Sequence, residues 1–182
     1  MSAKFSIEVL DAILLPNSNA PTDKRKEAEL LYESIPIIDR LQGLLQILVQ
    51  LQSNSATDNI MNNTNIGRFN LAAVLLRKEI SRLAGESMKN KGSEINSILF
   101  SIVDPLLTLY AGNPSNETSG IIDRQSRRAL SHCLAEVCLS LSLVATNTDA
   151  ANVIKNILSR IGPTVSVEFL FVLRPNFFHD FF

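Results

Sequence analysis

Charge of one sign is what this sequence most clearly lacks. Its 182 residues carry 17 basic and 18 acidic side chains, a net charge of −1. A nucleic-acid binder usually shows a clear basic excess, so nucleic acid is not an expected partner. Cysteine is equally scarce. Cys133 and Cys138 both fall in an apolar helical pattern, so they read as small buried hydrophobes of a reducing compartment, not as a disulfide framework. Long apolar runs are missing too. No stretch approaches the ~18 residues needed to cross a bilayer, so no membrane contact is expected. The apolar start, MSAKFSIEVLDAILLP, is interrupted by Glu8 and Asp11 and has no small-residue cleavage site after it. It reads as an amphipathic helix, not a signal peptide. Without a secretory signal, the sequons at Asn62 and Asn116 are chance matches.

The residues that carry chemistry are also sparse. His132 and His179 are too few for a histidine-based metal site, and two thiols five residues apart do not share a helix face. GESMKNKG contains glycines and lysines but not the order of a phosphate-binding loop. No serine or cysteine sits in a nucleophile elbow. Acidic pairs such as Glu27 and Glu29 belong to solvated helix faces. The sequence therefore points to no enzyme, no cofactor and no metal.

What is present is apolar periodicity. Hydrophobic residues make up 46% of the chain and charged residues 19%. A chain of this length buries roughly 70% of its unfolded surface, enough for a core without metal or disulfide support. Seven helix-length patterns alternate with polar breaks. Phe5, Val9, Leu10, Ile13 and Leu14 form the first. The second starts near Asp23, a candidate N-cap, buries Ala28, Leu31, Tyr32 and Ile35, and stops at Pro36. A third runs from Ile37 to about Gln52 through Ile38, Leu41, Leu44, Leu45 and Leu48. The Ser53–Asn65 stretch and GESMKNKG read as surface loops around the fourth. The fifth holds Ile95 to Leu107, with Pro105 predicting a kink or late break. Arg124 to Ala145 is the sixth, and Val153 to Ile161 lies in the seventh. VSVEFLFVL is ambiguous by period and is read as helix from its neighbourhood.

The fourth pattern, Arg68 to Ala84, is the most informative. Phe69, Ala72, Ala73, Leu76, Ile80 and Leu83 form one continuous stripe at helical spacing. Leu71, Val74 and Leu75 fall outside it, and Glu79 lies on a flank. A helix apolar on more than one face needs several neighbours to cover it, the situation of an inner helix in a stack of helix pairs. Repeat starts roughly 35 to 55 residues apart agree with HEAT-type or armadillo-type repeats of about 40–47 residues. The expected fold is all-α: a right-handed superhelical HEAT-repeat solenoid of antiparallel helix pairs. Residues 1–161 supply three pairs and the first helix of a fourth, and 162–182 an incomplete repeat or aromatic tail. An irregular helical bundle is the alternative.

Charged residues form a second pattern across these helices. On a helical wheel Lys78 lies opposite the core stripe, with Val74 and Arg82 beside it. Arg128 and His132 do the same in the sixth helix, and Lys26 with Glu33 in the second. Together they make a ladder across three repeats. Arg77, Arg124 and Arg127 add to the basic rim. The rim reads either as a merely solvated surface or as a recognition surface.

Three segments resemble the amino-terminal HEAT repeats of the importin-β (karyopherin-β) superfamily of nuclear transport receptors: DKRKEAELLYESIP from Asp23, FNLAAVLLRKEIS from Phe69 and SRRALSHCLAEVCLSL from Ser126. They are similar in order and separation to that family's first three inner helices, and the similarity extends over about residues 5–160. The resemblance is nearest to the branch that imports ribosomal proteins and histones, with the branch that imports splicing factors as the alternative. The resemblance implies a receptor that binds the GTP form of the small GTPase Ran through inner helices, here through Lys26, Glu33, Val74, Lys78, Arg82, Arg128 and His132. It further implies contact with Phe-Gly repeats of nucleoporins, protein cargo held by later repeats of a longer parent, and residence in cytoplasm and nucleus. A HEAT scaffold in a non-transport complex is the competing reading. Family members have many more repeats, and the RPNFFHDFF ending, with four phenylalanines in six residues, departs from the pattern. An excised fragment, a truncated gene model and a short relative with an aromatic cap each account for that.

Overall fold

The computed structural model describes residues 5–14, 22–58, 63–90, 93–111, 124–144 and 147–161. Among them are seven helices and no strand: α1 (Ile7–Leu14), α2 (Thr22–Ser34), α3 (Ile37–Asp58), α4 (Asn63–Asn90), α5 (Ser93–Ala111), α6 (Arg124–Val144) and α7 (Asn147–Ile161). The protein is all-helical over these residues. None of these helices is long and apolar enough to cross a membrane. The VSVEFLFVL segment and the aromatic ending lie outside the described residues.

Local chemistry sets the helix ends. Asp23 lies in the first turn of α2, where a carboxylate favours the exposed N–H groups, although the helix begins one residue earlier than the expected cap. Pro36 keeps Ile35 out of the helical region. The Ile35 N–H therefore donates to the Tyr32 carbonyl at 3.2 Å, closing a tight turn, and the Arg40 N–H donates to the Pro36 carbonyl at 3.0 Å to open α3.

Two expectations about breaks are corrected, and of the kink or break expected at Pro105 the break is excluded. α3 continues to Asp58 and α4 starts at Asn63, so most of the Ser53–Asn65 stretch is helical, not loop. α4 also runs through Gly85 to Asn90. A helix tolerates one glycine at a cost of about 1 kcal/mol when straight-chain helix formers such as Glu86 and Lys89 surround it. Pro105 does not end α5, which continues to Ala111. Proline leaves the Ser101 carbonyl without its helical partner, at an exposed residue.

α4 is the hub. It packs against α3 and α6 and also touches α1 and α5. Its whole stripe is buried, with Phe69, Ala72, Leu76 and Ile80 fully so. The small Ala73 lets α6 come close enough for the Cys133 thiol to reach the Ala73 carbonyl at 3.1 Å. Leu71 and Leu75 are half-buried and pack on the core, while Val74 is 61% exposed. The doubly apolar pattern thus reflects one full face, two shoulders and one bare valine.

Neighbours in sequence pack together as α1 with α2, α3 with α4 and α5 with α6. Beyond them, α3 meets α5, α5 meets α7, and α4 meets α6. Two expected core positions are corrected: Leu31 is 44% and Ile38 is 39% exposed. Both flank the α2–α3 turn, whose inward positions are taken by Tyr32, Ile35 and Leu41.

Candidate functional site

Two charged assemblies meet along the solvent side of α4. The first joins α2, α3 and α4. Arg40 occupies a stripe position of α3, four residues before Leu44, and its side chain is 8% exposed. Glu79 follows Leu76 by three residues on α4 and is fully buried. Each charge alone would be strongly destabilising there, so they face one another, Arg40 Nη2 to Glu79 Oε2 at 3.1 Å. The Tyr32 hydroxyl donates to Glu79 Oε1 at 3.0 Å, and Arg82 Nη1 donates to the same oxygen at 3.2 Å. The Arg40 guanidinium also lies 5.0 Å from the Tyr32 ring centre. Burial pushes the Tyr32 phenol far above its ordinary range, with the Glu79 charge adding to the effect. It therefore stays protonated and keeps donating.

Glu33 closes the rim of this cluster. Arg40 Nη1 donates to its Oε2 at 2.8 Å. Arg82 grips it with a fork, Nη1 to Oε2 at 2.9 Å and Nη2 to Oε1 at 3.2 Å. Lys78 Nζ stands 3.6 Å from Oε1, too far for a hydrogen bond. The hydrogen bond from Arg82 is the chief reason that the Glu33 carboxyl is held down at about 2.

The second assembly lies between α4 and α6. One hollow of about 460 Å³ is lined by Val74, Arg77, Lys78, Ser81, Arg82 and Glu136. A smaller hollow of about 220 Å³ shares Val74 and Arg77 and adds Asn70, Gln125, Arg128 and His132. Arg77 Nε donates to Glu136 Oε2 at 3.3 Å across the two helices. Among the described residues, no group of three or more histidine, cysteine or acidic side chains is gathered as metal ligands would be.

The structure brings most of the sequence ladder onto this surface. Val74, Lys78, Arg82, Arg128 and His132 line the two hollows, and Glu33 is tied to Arg82 at their edge. Lys26 is not brought in. It is exposed, two turns before Glu33 on the same face of α2, and makes no ion pair among the described residues. The sequence reading missed Arg40 and Glu136, and it put Glu79 on a polar flank. A signal existed for the buried pair: a cation and an anion each standing at core-stripe positions of neighbouring helices. Comparison with protein-family models, with curated proteins and with solved structures gives no match.

Proposed function

We propose that this chain is the amino-terminal region of an importin-β-like nuclear transport receptor. In this reading its helices stack as a right-handed HEAT-repeat solenoid of antiparallel pairs, and GTP-bound Ran is held on the side formed by α2, α4 and α6. The observation that carries the reading is the order of neighbours. Even-numbered helices adjoin one another, α4 packing on α6 and reaching α2 through the Glu33–Arg82 fork. These are the helices whose sequences resemble the family's inner ones. Odd-numbered helices likewise adjoin, α3 with α5 and α5 with α7, as outer helices of stacked pairs do.

The mechanism is linkage. Small rotations between stacked pairs add along a solenoid, so Ran and cargo favour different curvatures and each lowers the affinity for the other. Discrimination between nucleotide states arises because the γ-phosphate and its Mg²⁺ order the GTPase switch segments. Only that state presents the surface that the even-numbered helices complement. Nucleoporin Phe-Gly repeats are assigned to the outer helices, and cargo to later repeats of a longer parent. The receptor works between cytoplasm and nucleus and carries out no chemistry of its own.

Titration with Ran tests the reading. The chain within its full-length parent should bind Ran loaded with a non-hydrolysable GTP analogue and ignore the GDP form. Equal binding of both forms overturns the proposal.

A further inference from the structure

We infer that α1 and α2 form a hinged unit that opens as one body from the rest of the fold, held shut by two arginine–carboxylate forks, Asp11–Arg68 and Glu33–Arg82. The inference goes beyond the receptor reading and holds or fails independently of it.

Packing makes the two helices one unit. Among the described helices, α2 packs closely on α1 alone, and α1 also touches α4. α2 reaches α3 and α4 through side chains near its end, Tyr32 and Glu33. A short link, Ile35 and Pro36, joins it to α3. Both forks tie the unit to α4, one from each of its helices. Arg68 Nε donates to Asp11 Oδ1 at 2.6 Å and Nη2 to Oδ2 at 2.7 Å. Arg82 holds Glu33 in the same manner from Nη1 and Nη2. Such forks are strong and directional. All four side chains are nevertheless between 28% and 46% exposed, within reach of water and of competing charges.

The seam that the forks close is the polar one. Arg40 and Glu79, the two buried charged side chains among the described residues, both meet Tyr32 of α2 across it. Opening the seam hydrates an ion pair that bears a desolvation cost while buried, which offsets part of the apolar exposure. That exposure is small, because the unit buries only Phe5, Val9, Leu10, Ala28, Tyr32 and Ile35. The α4–α6 seam instead brings Cys133 against Ala73, and Leu130, Leu134, Val137 and Leu141 are fully buried along α6. Segments with fewer buried apolar contacts open first.

Tyr32 makes the opening concerted. Its ring meets the Phe5 ring edge-on at 5.3 Å, and its hydroxyl donates to Glu79 at 3.0 Å. Phe5 in turn lies against Gly43 of α3. When Tyr32 leaves its seat, Phe5 loses the ring that holds it. Arg82 also lines the hollow between α4 and α6, so an acidic group engaging it there competes with Glu33 and releases that fork.

Amide hydrogen exchange of the full chain, read by NMR, tests this, with thiol labelling of Cys133 and Cys138 reporting the unfolding of α6. The slowest amides of α1 and α2 should share one rate, faster than the slowest of α6. Asp11→Asn and Glu33→Gln should each raise exchange in both helices by about two- to ten-fold, and Arg82→Gln should reach α1 as well as α2. Val137→Ala, at a fully buried position of α6, should speed thiol labelling and leave exchange in α1 and α2 unchanged, because their opening leaves α6 packed. A fork variant acting on its own helix alone would overturn the inference. So would Val137→Ala accelerating α1 and α2 by the same factor as the thiols, since the chain then opens as a single body. Exchange in α1 and α2 no faster than in α6 overturns it without any variant.

Discussion

Glu79 contributes to the fold only in company. A fully buried carboxylate pays a desolvation cost of several kcal/mol, which Arg40, Tyr32 and Arg82 together offset. Removing it leaves the Arg40 guanidinium buried and uncompensated. Glu79→Ala should therefore lower the unfolding free energy by about 3–5 kcal/mol in urea titration. At about 2–4 °C per kcal/mol for a chain of this size, the midpoint falls by roughly 6–20 °C. The double change Arg40→Met with Glu79→Leu should cost much less than Glu79→Ala, because it removes both charges and keeps the volume. A double variant as unstable as the single one would contradict the ion-pair account.

Glu33 gives the pH dependence its sign. Its folded carboxyl is held at about 2, below the ordinary 4.5. It therefore contributes stability that is present above pH 4.5 and is lost as pH falls toward about 2. Glu33→Gln should flatten the stability profile across that window and leave it unchanged near neutrality apart from a constant offset. The two thiols behave differently. Burial pushes Cys133 and Cys138 up to about 12, so a thiol reagent should label neither at neutral pH until the chain unfolds. Rapid labelling of the native protein would contradict their burial.

Glycine substitutions separate propensity from packing at the scale of the element. Both Gly43 and Gly85 lie inside helices, where alanine is favoured by about 1 kcal/mol. A Cβ at Gly85 meets nothing within 4 Å, whereas one at Gly43 would stand 2.8 Å from the Cβ of Phe5. Phe5 is anchored by its edge-on contact with Tyr32, the ring centres 5.3 Å apart. Gly85→Ala should thus raise stability by about 0.5–1 kcal/mol. Gly43→Ala should lower it by about 1–3 kcal/mol as Phe5 is forced off α3. Thermal melts of the two variants moving in the same direction would refute this placement of the amino-terminal segment.

The helices were legible in the sequence, as were the ends at Pro36, Ile37, Arg124 and Ile161; the extensions of α3 and α4 were not. Period alone marked the α4 stripe from Phe69 to Leu83, because a buried face must repeat at three and four. The extensions to Asp58 and from Asn63 were hidden, since asparagine, serine and threonine favour caps and loops by local hydrogen bonding. Leu31 illustrates the converse. Its type predicted burial, but Ala28 and Tyr32 of α2 and Ile35 just beyond its end take the inward positions, and Leu31 beside Tyr32 is left in water.

For the whole molecule, outward faces could be read from the sequence, whereas the contacts between helices could not. Helical wheels gathered Val74, Lys78, Arg82, Arg128 and His132 on outward faces, and packing of α4 on α6 brings them to two adjoining hollows. Wheels treat each helix separately, so they could not reveal that Glu33 is spent on Arg82, or that Glu136 of α6 reaches Arg77 of α4. Those pairings depend on the inter-helix geometry. The same geometry gathers cations and the bare Val74 along the hollow between α4 and α6, the side to which the proposed receptor would bind its partner.

Hydrogen–deuterium exchange of the chain, with and without Ran bound to a non-hydrolysable GTP analogue, tests the proposed receptor reading most directly. Binding should slow exchange in α4 around Val74–Arg82 and in α6 around Arg128–His132, with no change in α3 or α5 and none when Ran carries GDP. Protection falling on α3 and α5, or appearing equally with the GDP form, would contradict the account.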